Sequence, residues 1–327
     1  PIGTGPFMFG EYKPQQYLKL VANPKYFRGS PKLNGIMYTY IPSDSARDLA
    51  FQTGELDMIY GNQGQKWVER TQKLKGAVVH VMEPSEMSVM SLNTTVKPLS
   101  DIRVRKAIAM AVNRVEFMNF KGPDVTRAAT SVVPQGYLGH ADMSDLMPKF
   151  DVEGAKKLLA DAGYPNGVTI NAIHTSLPGM LSTMEVFQAQ LRRAGIKLEL
   201  EVVEHATFHA QIRKDLSQVT HYSAARFPVA DTYLTQFFHS DSTVGTKTAV
   251  TNFSHCSAGD AEIDAARVEH DGNKQKALWK TAQEKIVKEV CAIPIYENLQ
   301  LWATKDNLDL GYNLVGSLTL GPPVTEK

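Results

Sequence analysis

Two periods of apolar and polar positions alternate regularly from residue 151 onward. Asp151 stands as an N-cap before VEGAKKLLADAG, which Gly163 closes. VTINAIH (168–174) is an apolar run of strand length. Pro178 and Gly179 open a segment whose Met180, Met184, Phe187 and Leu191 share one helical face, and Gly195 stops it. In IKLELEVV (196–203), Ile196, Leu198, Leu200 and Val202 alternate with Lys197, Glu199 and Glu201, the period of a half-buried strand. HATFHAQIRKDL (205–216) reads as a helix, VTHYSAA (219–225) as a strand, RFPVAD (226–231) as a sharp turn and TYLTQFFHS (232–240) as a helix. Strands alternating with helices of this length predict βαβ units and a largely parallel sheet. Polar loops (241–259), the helices AEIDAARVEHD and KQKALWKTAQEKIVKEV, and a final apolar strand AIPIYENLQLWATK (292–305) complete this part.

The earlier residues read as β structure with turns to about residue 42, including the strands YLKLVAN and GIMYTYI. Ser43 and Asp44 offer an N-cap for SARDLAFQTG, ended by Gly54; ELDMIYG is a short strand, and WVERTQKLKG a helix ending at Gly76. AVVHVME and MSVMSLN predict two strands around the turn EPSE. Asp101 caps a helix in which Val104, Ala107, Ile108, Ala111, Val112, Val115 and Met118 form one apolar face over four turns, with Arg103, Arg105 and Lys106 on a solvated face. Residues 122–149 are rich in Gly, Pro, Asp and Ser and read as a connector. The expected organisation is therefore α/β with two lobes: residues 1–133 with 297–327, and residues 134–296, the last strand crossing back to the first lobe.

Composition narrows the function. At 327 residues, 43% hydrophobic and 21% charged, the chain has room for two cores. Its 35 Lys+Arg and 34 Asp+Glu leave a net charge of +1 with no basic stripe, which argues against a nucleic-acid partner. No apolar run approaches the roughly 18 residues of a membrane span. The chain starts at Pro1 with turn-like residues, which reads as an internal start. Two cysteines, Cys256 and Cys291, allow one disulfide or two buried thiols, and neither lies in a CxxC pair.

Catalytic signatures are missing: there is no GxSxG, HExxH, Walker loop or GxGxxG after a strand. Neither a cofactor nor a metal is expected. His205 and His209 have the spacing of a two-histidine metal face, but no acid lies between them and no third ligand is evident, so a half-buried pair is expected. The strand–turn–helix at 219–240 is the most promising stretch. It puts Arg226, Phe227, Pro228 and Asp231 at a strand's carboxyl end and a helix's amino end, where α/β sheets bind ligands. Phe227 and Tyr222 are candidate apolar walls, Ser223 a neighbour on the strand, and Asn93, His174 and Tyr137 candidate polar contributors.

GTGPF, NPKYFRG, DLAFQTGELD, LNTTVKPLSDIRVRKAIAMAVNR, DVEGAKKLLADAGYP and AIPIYE, in this order, resemble the family 5 solute-binding proteins of peptide/nickel-type ABC transporters. The resemblance implies a two-lobed periplasmic-binding-protein type II fold with mixed sheets and crossing strands. It also implies a monomer, periplasmic or extracellular and membrane-tethered, that closes on a small or peptide-like solute and delivers it to the permease of an ABC importer. Such proteins carry a further amino-terminal stretch ahead of GTGPF. In oligopeptide binders the corresponding stretch has a tryptophan and an aspartate that holds the peptide's amino terminus. Aligned through Tyr233 and Leu234, these positions fall on Ser223 and Arg226. A planar cation there suits a carboxylate or phosphate rather than an ammonium. Dipeptide-type members have a disulfide after this helix; Cys256 resembles its second cysteine, but the first position falls near His239 and Ser240, so that bridge is expected to be absent. The alternatives are metal-chelate uptake by the scattered histidines, an α/β hydrolase-type enzyme with an unrecognised site, or a sensor or chaperone on the same fold.

Overall fold

The computed structural model describes residues 3–62, 64–311 and 324–326, apart from the side chains of residues 83–85 and 326. The strands are β1 (Phe7–Lys13), β2 (Tyr17–Ala22), β3 (Gly35–Thr39), β4 (Met58–Tyr60), β5 (Ala77–Leu92), β6 (Thr126–Ala128), β7 (Val168–Thr175), β8 (Ile196–Val203), β9 (Val219–Ala224), β10 (Ala292–Lys305), β11 (Leu308–Asp309) and β12 (Thr325–Glu326). The helices are α1 (Asp44–Gln52), α2 (Gln65–Thr71), α3 (Ile102–Met110), α4 (Arg114–Lys121), α5 (Val152–Asp161), α6 (Pro178–Arg193), α7 (His205–Arg213), α8 (Ala230–Phe238), α9 (Asp260–Val268) and α10 (Gly272–Lys288).

The chain forms two compact units, residues 1–83 with 299–327 and residues 84–298. The chain returns to the first unit at 298/299, where the expected organisation has 296/297. The outward crossing comes at 83/84, about 50 residues before the expected 133/134. The reason is packing: the segment read as a connector buries Val132, Val133, Tyr137, Met143 and Met147 in the same core as Tyr233, Phe237 and Trp279. Its glycines and prolines shape buried turns instead of freeing a linker.

In the first unit β1, β2 and β3 form an antiparallel sheet, and β4 pairs antiparallel with Trp302–Thr304 of β10. Ser43 caps α1 by accepting from Ala46 N.

Among the described residues the second unit has two large hydrophobic cores and a smaller one of Ile173, Phe208, Ile212, Val244 and Phe253. One large core joins α3, α5 and α6 to β7 and β8, and the other joins α8, α9 and α10 to residues 129–147. Asp151 and Asp101 cap α5 and α3 as their sequence positions predict, accepting from Gly154 N and Arg103 N at 2.8 Å. The four-turn helix after Asp101 divides in two. Asn113 ends the run because its side chain accepts from Val115 N and Glu116 N, recapping the chain as α4 and leaving Val115 exposed. Arg105 is not on a solvated face. Only 4% exposed, it donates to the carbonyls of Leu99 and Glu289 at 2.8 Å and so ties α3 to the end of α10.

Among the described residues the largely parallel sheet reduces to the parallel pair of β7 with β8. On the other edge of β7, Asn171 N and Ile173 N donate to the side chains of Gln218 and Ser217 rather than to a strand backbone. β9 instead pairs antiparallel with β5, Met87↔Ala224 through Leu92↔Val219. β5 is one strand through the expected EPSE turn.

Candidate functional site

The turn after β9 is held from below by a buried tyrosine. Tyr137 Oη donates to Arg226 O at 2.8 Å and accepts from Arg226 N at 2.9 Å. Two hydrogen bonds to one residue's backbone fix the direction in which that residue leaves the strand. The Arg226 side chain then lies over the Phe237 ring at 4.9 Å, with Nε donating to Gln236 Oε1 and Nη1 to Ala225 O. Among the described residues no carboxylate is ion-paired with Arg226, and Nη2 makes no hydrogen bond. A half-buried guanidinium, oriented and stacked yet with donors to spare, is suited to receive an anion in a planar, bidentate contact.

Glu86, which the sequence did not mark, stands beside it. It precedes the Met87↔Ala224 pair by one residue, which brings it next to Ala225 and Arg226. Burial raises the pKa of its carboxyl, and the Arg226 charge only partly offsets this. Among the described residues it forms neither a hydrogen bond nor an ion pair. Burial of a carboxylate without a hydrogen-bond partner favours its neutral form, and the neighbouring Arg226 charge works against that. EPSE gave no signal for it, because the pairing partner that brings Glu86 to Arg226 lies 138 residues further on.

The other expected residues divide into near and far. Tyr222 is half-buried against Phe253 and Phe237 (5.2 and 6.1 Å between ring centres), and Ser223 sits opposite Ser88 in the β5–β9 ladder. Phe227 is 75% exposed and forms no wall within its unit. Asp231 points elsewhere, with Oδ1 3.4 Å from Arg267 Nε on α9. Asn93 is buried and structural: its Oδ1 accepts from Thr95 N and Oγ1, and its Nδ2 donates to Asp215. The cavity of about 370 Å³ in the first unit, lined by residues such as Met37, Tyr38, Tyr60 and Trp302, contains none of the expected site residues.

His174 is fully buried, its ring 5.2 Å from that of His221 and 5.5 Å from that of Phe208. Burial lowers the pKa of both histidines, His221 well below the ordinary value, and His221 is lowered further by the His174 and Lys121 charges. Below about pH 6.5 the unfolded chain therefore takes up protons that the folded chain refuses, and stability falls as the pH drops. Each histidine is expected to remove up to about 1.4 kcal/mol by pH 5.5. Urea unfolding at pH 7.5 and 5.5 checks this; a pH-independent midpoint across that interval would refute it.

The family described as bacterial extracellular solute-binding proteins, family 5 (middle region), matches residues 1–245. The nickel-binding periplasmic protein of Escherichia coli (strain K12) is 30% identical over 234 residues, 65% of this chain and 44% of that protein. Di/tripeptide-binding protein 2 of Pseudomonas aeruginosa (strain UCBPP-PA14) is 25% identical over 322 residues, 96% of this chain and 59% of that one. The solved structure of MoaA from A.tumefacien R10, in complex with mannopinic acid, superposes with a TM-score of 0.82 at 46% identity, over 100% of this chain and 67% of that one. The chain thus spans about half the length of the curated relatives it matches.

Proposed function

We propose that this chain, which belongs to the bacterial extracellular solute-binding proteins of family 5 and shares their α/β fold, is the ligand-holding part of an ABC importer's binding protein for an acidic, non-peptide solute. The observation that carries the reading is Arg226: a stacked, oriented guanidinium with unused donors at the end of β9. The relative that is 46% identical holds mannopinic acid, an acid by name, which favours the same chemistry here. Part of this reading is that the protein works as a monomer in the periplasm or tethered outside the membrane, closes on its solute, and hands it to a permease. No helix among the described residues is long and apolar enough to cross a membrane. Catalysis has no part in it.

Glu86 adds a second element. A solute with a cationic nitrogen beside its acid group would meet both side chains at once. Calorimetric titration of the protein expressed from its full reading frame tests the reading with mannopinic acid, other carboxylates and neutral or cationic peptides. Acids should bind and cationic peptides should not; tight binding of cationic peptides alone would overturn it. In Glu86→Gln, acids carrying an amine should bind on the order of tenfold less tightly, while amine-free acids should be unaffected. An equal loss for both classes would remove Glu86 from the site.

A further inference from the structure

The histidines of α7 sit closer together than their spacing alone requires. His205 Nε2 and His209 Nε2 face each other at 3.2 Å, on rings 4.5 Å apart between centres. Two imidazole nitrogens bound at roughly 2.0–2.1 Å to one zinc ion, at the tetrahedral angle, are about 3.3 Å apart. The two nitrogens are thus already at chelating distance. We infer that His205 and His209 form a two-histidine site for a divalent transition-metal ion of the nickel, copper or zinc type, separate from Arg226 and Glu86.

Three features of the surroundings support it. His205 Nδ1 is 3.1 Å from Thr175 Oγ1 on β7. With the proton on Nδ1 donated to that hydroxyl, the Nε2 lone pair is free, the outer hydrogen bond that metal-binding histidines normally make. Both rings are half-buried, leaving one side open for water or a solute group to complete the coordination. The first turns of the helix are anchored by Glu204, whose carboxylate accepts from Ala206 N and Thr207 N. The metal-free pair is held by an N–H···N hydrogen bond from His209 to His205. Metal binding breaks that hydrogen bond: the His209 proton moves from Nε2 to Nδ1, both Nε2 lone pairs turn toward an ion lying off the N···N line, and no net proton leaves. Imidazole donors prefer nickel, copper and zinc to magnesium and calcium.

Titration of tag-free, chelator-treated protein with nickel chloride, followed by calorimetry, tests the site. One nickel ion per chain should bind with micromolar affinity, zinc should compete, and magnesium should not. His205→Ala and His209→Ala should each weaken binding on the order of tenfold or more, because each removes the intramolecular second ligand. His270→Ala, at an exposed histidine, should not. Nickel should also raise the thermal unfolding midpoint of the unaltered chain and not that of the two variants, whose circular dichroism should match. Binding no tighter than millimolar, or nickel binding unchanged in both variants, overturns the inference.

Discussion

Replacing Arg226 with alanine is expected to weaken binding of an acidic solute by roughly 10- to 150-fold, the loss of about 1.5–3 kcal/mol for a charge-assisted contact. The variant should fold normally. The turn is held through the Arg226 backbone by Tyr137, and alanine keeps that backbone N–H and C=O. What disappears is the guanidinium over Phe237, its bond to Gln236, and the free donors. Arg226→Lys should recover only part of the affinity, because an ammonium cannot present a planar fork. Tyr137→Phe offers a second route to the same site: Arg226 stays, but both backbone bonds are lost and its direction is no longer fixed. An affinity fall in Tyr137→Phe with Arg226 intact would show that orientation, not charge alone, determines binding. Unchanged affinity in Arg226→Ala would remove the anchor from the proposal.

Much of this stretch was readable in advance. Apolar VTHYSAA, the proline in RFPVAD and the helical TYLTQFF gave β9, the turn and α8 within a few residues, because each element is set by its own local period. Caps were equally local, as Ser43, Asp101 and Asp151 show. What failed depended on distant partners. Nothing near Arg105 announces that the end of α10 will meet it and bury it. Ser217 and Gln218 end the parallel ladder of β7 with side chains, which a periodicity argument treats as mere loop residues. His174 ends its strand in the core, against Phe208 and His221, rather than facing a ligand. Glu86 lacked any signal for the same reason: its meaning comes from the β5–β9 register. Asn113 is the exception: its capping chemistry is local, but the apolar stripe runs on past it and masks the break.

Removing the Cys256–Cys291 bridge is expected to cost about 2–4 kcal/mol of stability. The two sulfurs are bonded, Cα atoms 5.7 Å apart, across a sequence separation of 35 residues. A closed loop of that length restricts the unfolded chain by about 3.8 kcal/mol in the chain-entropy picture. The family resemblance pointed to a different pairing, between Cys256 and the neighbourhood of His239. That position holds no cysteine, and hydrogen bonds join the same loop there: Asn252 Nδ2 donates to His239 O at 3.0 Å and to Cys256 O at 2.9 Å. The bridge instead ties the loop to the start of β10. Because Asn252 continues to hold the loop to the end of α8, and Arg226 precedes α8, Cys256→Ala/Cys291→Ala should unfold at a lower denaturant concentration while keeping most of its solute affinity. Urea titrations of both forms measure the first, and calorimetry the second. Alkylation of the unreduced, denatured protein provides the control: two modified thiols in the unaltered chain would mean that no bridge forms. A double variant as stable as the parent would show that the hydrogen bonds of Asn252 secure the loop without it.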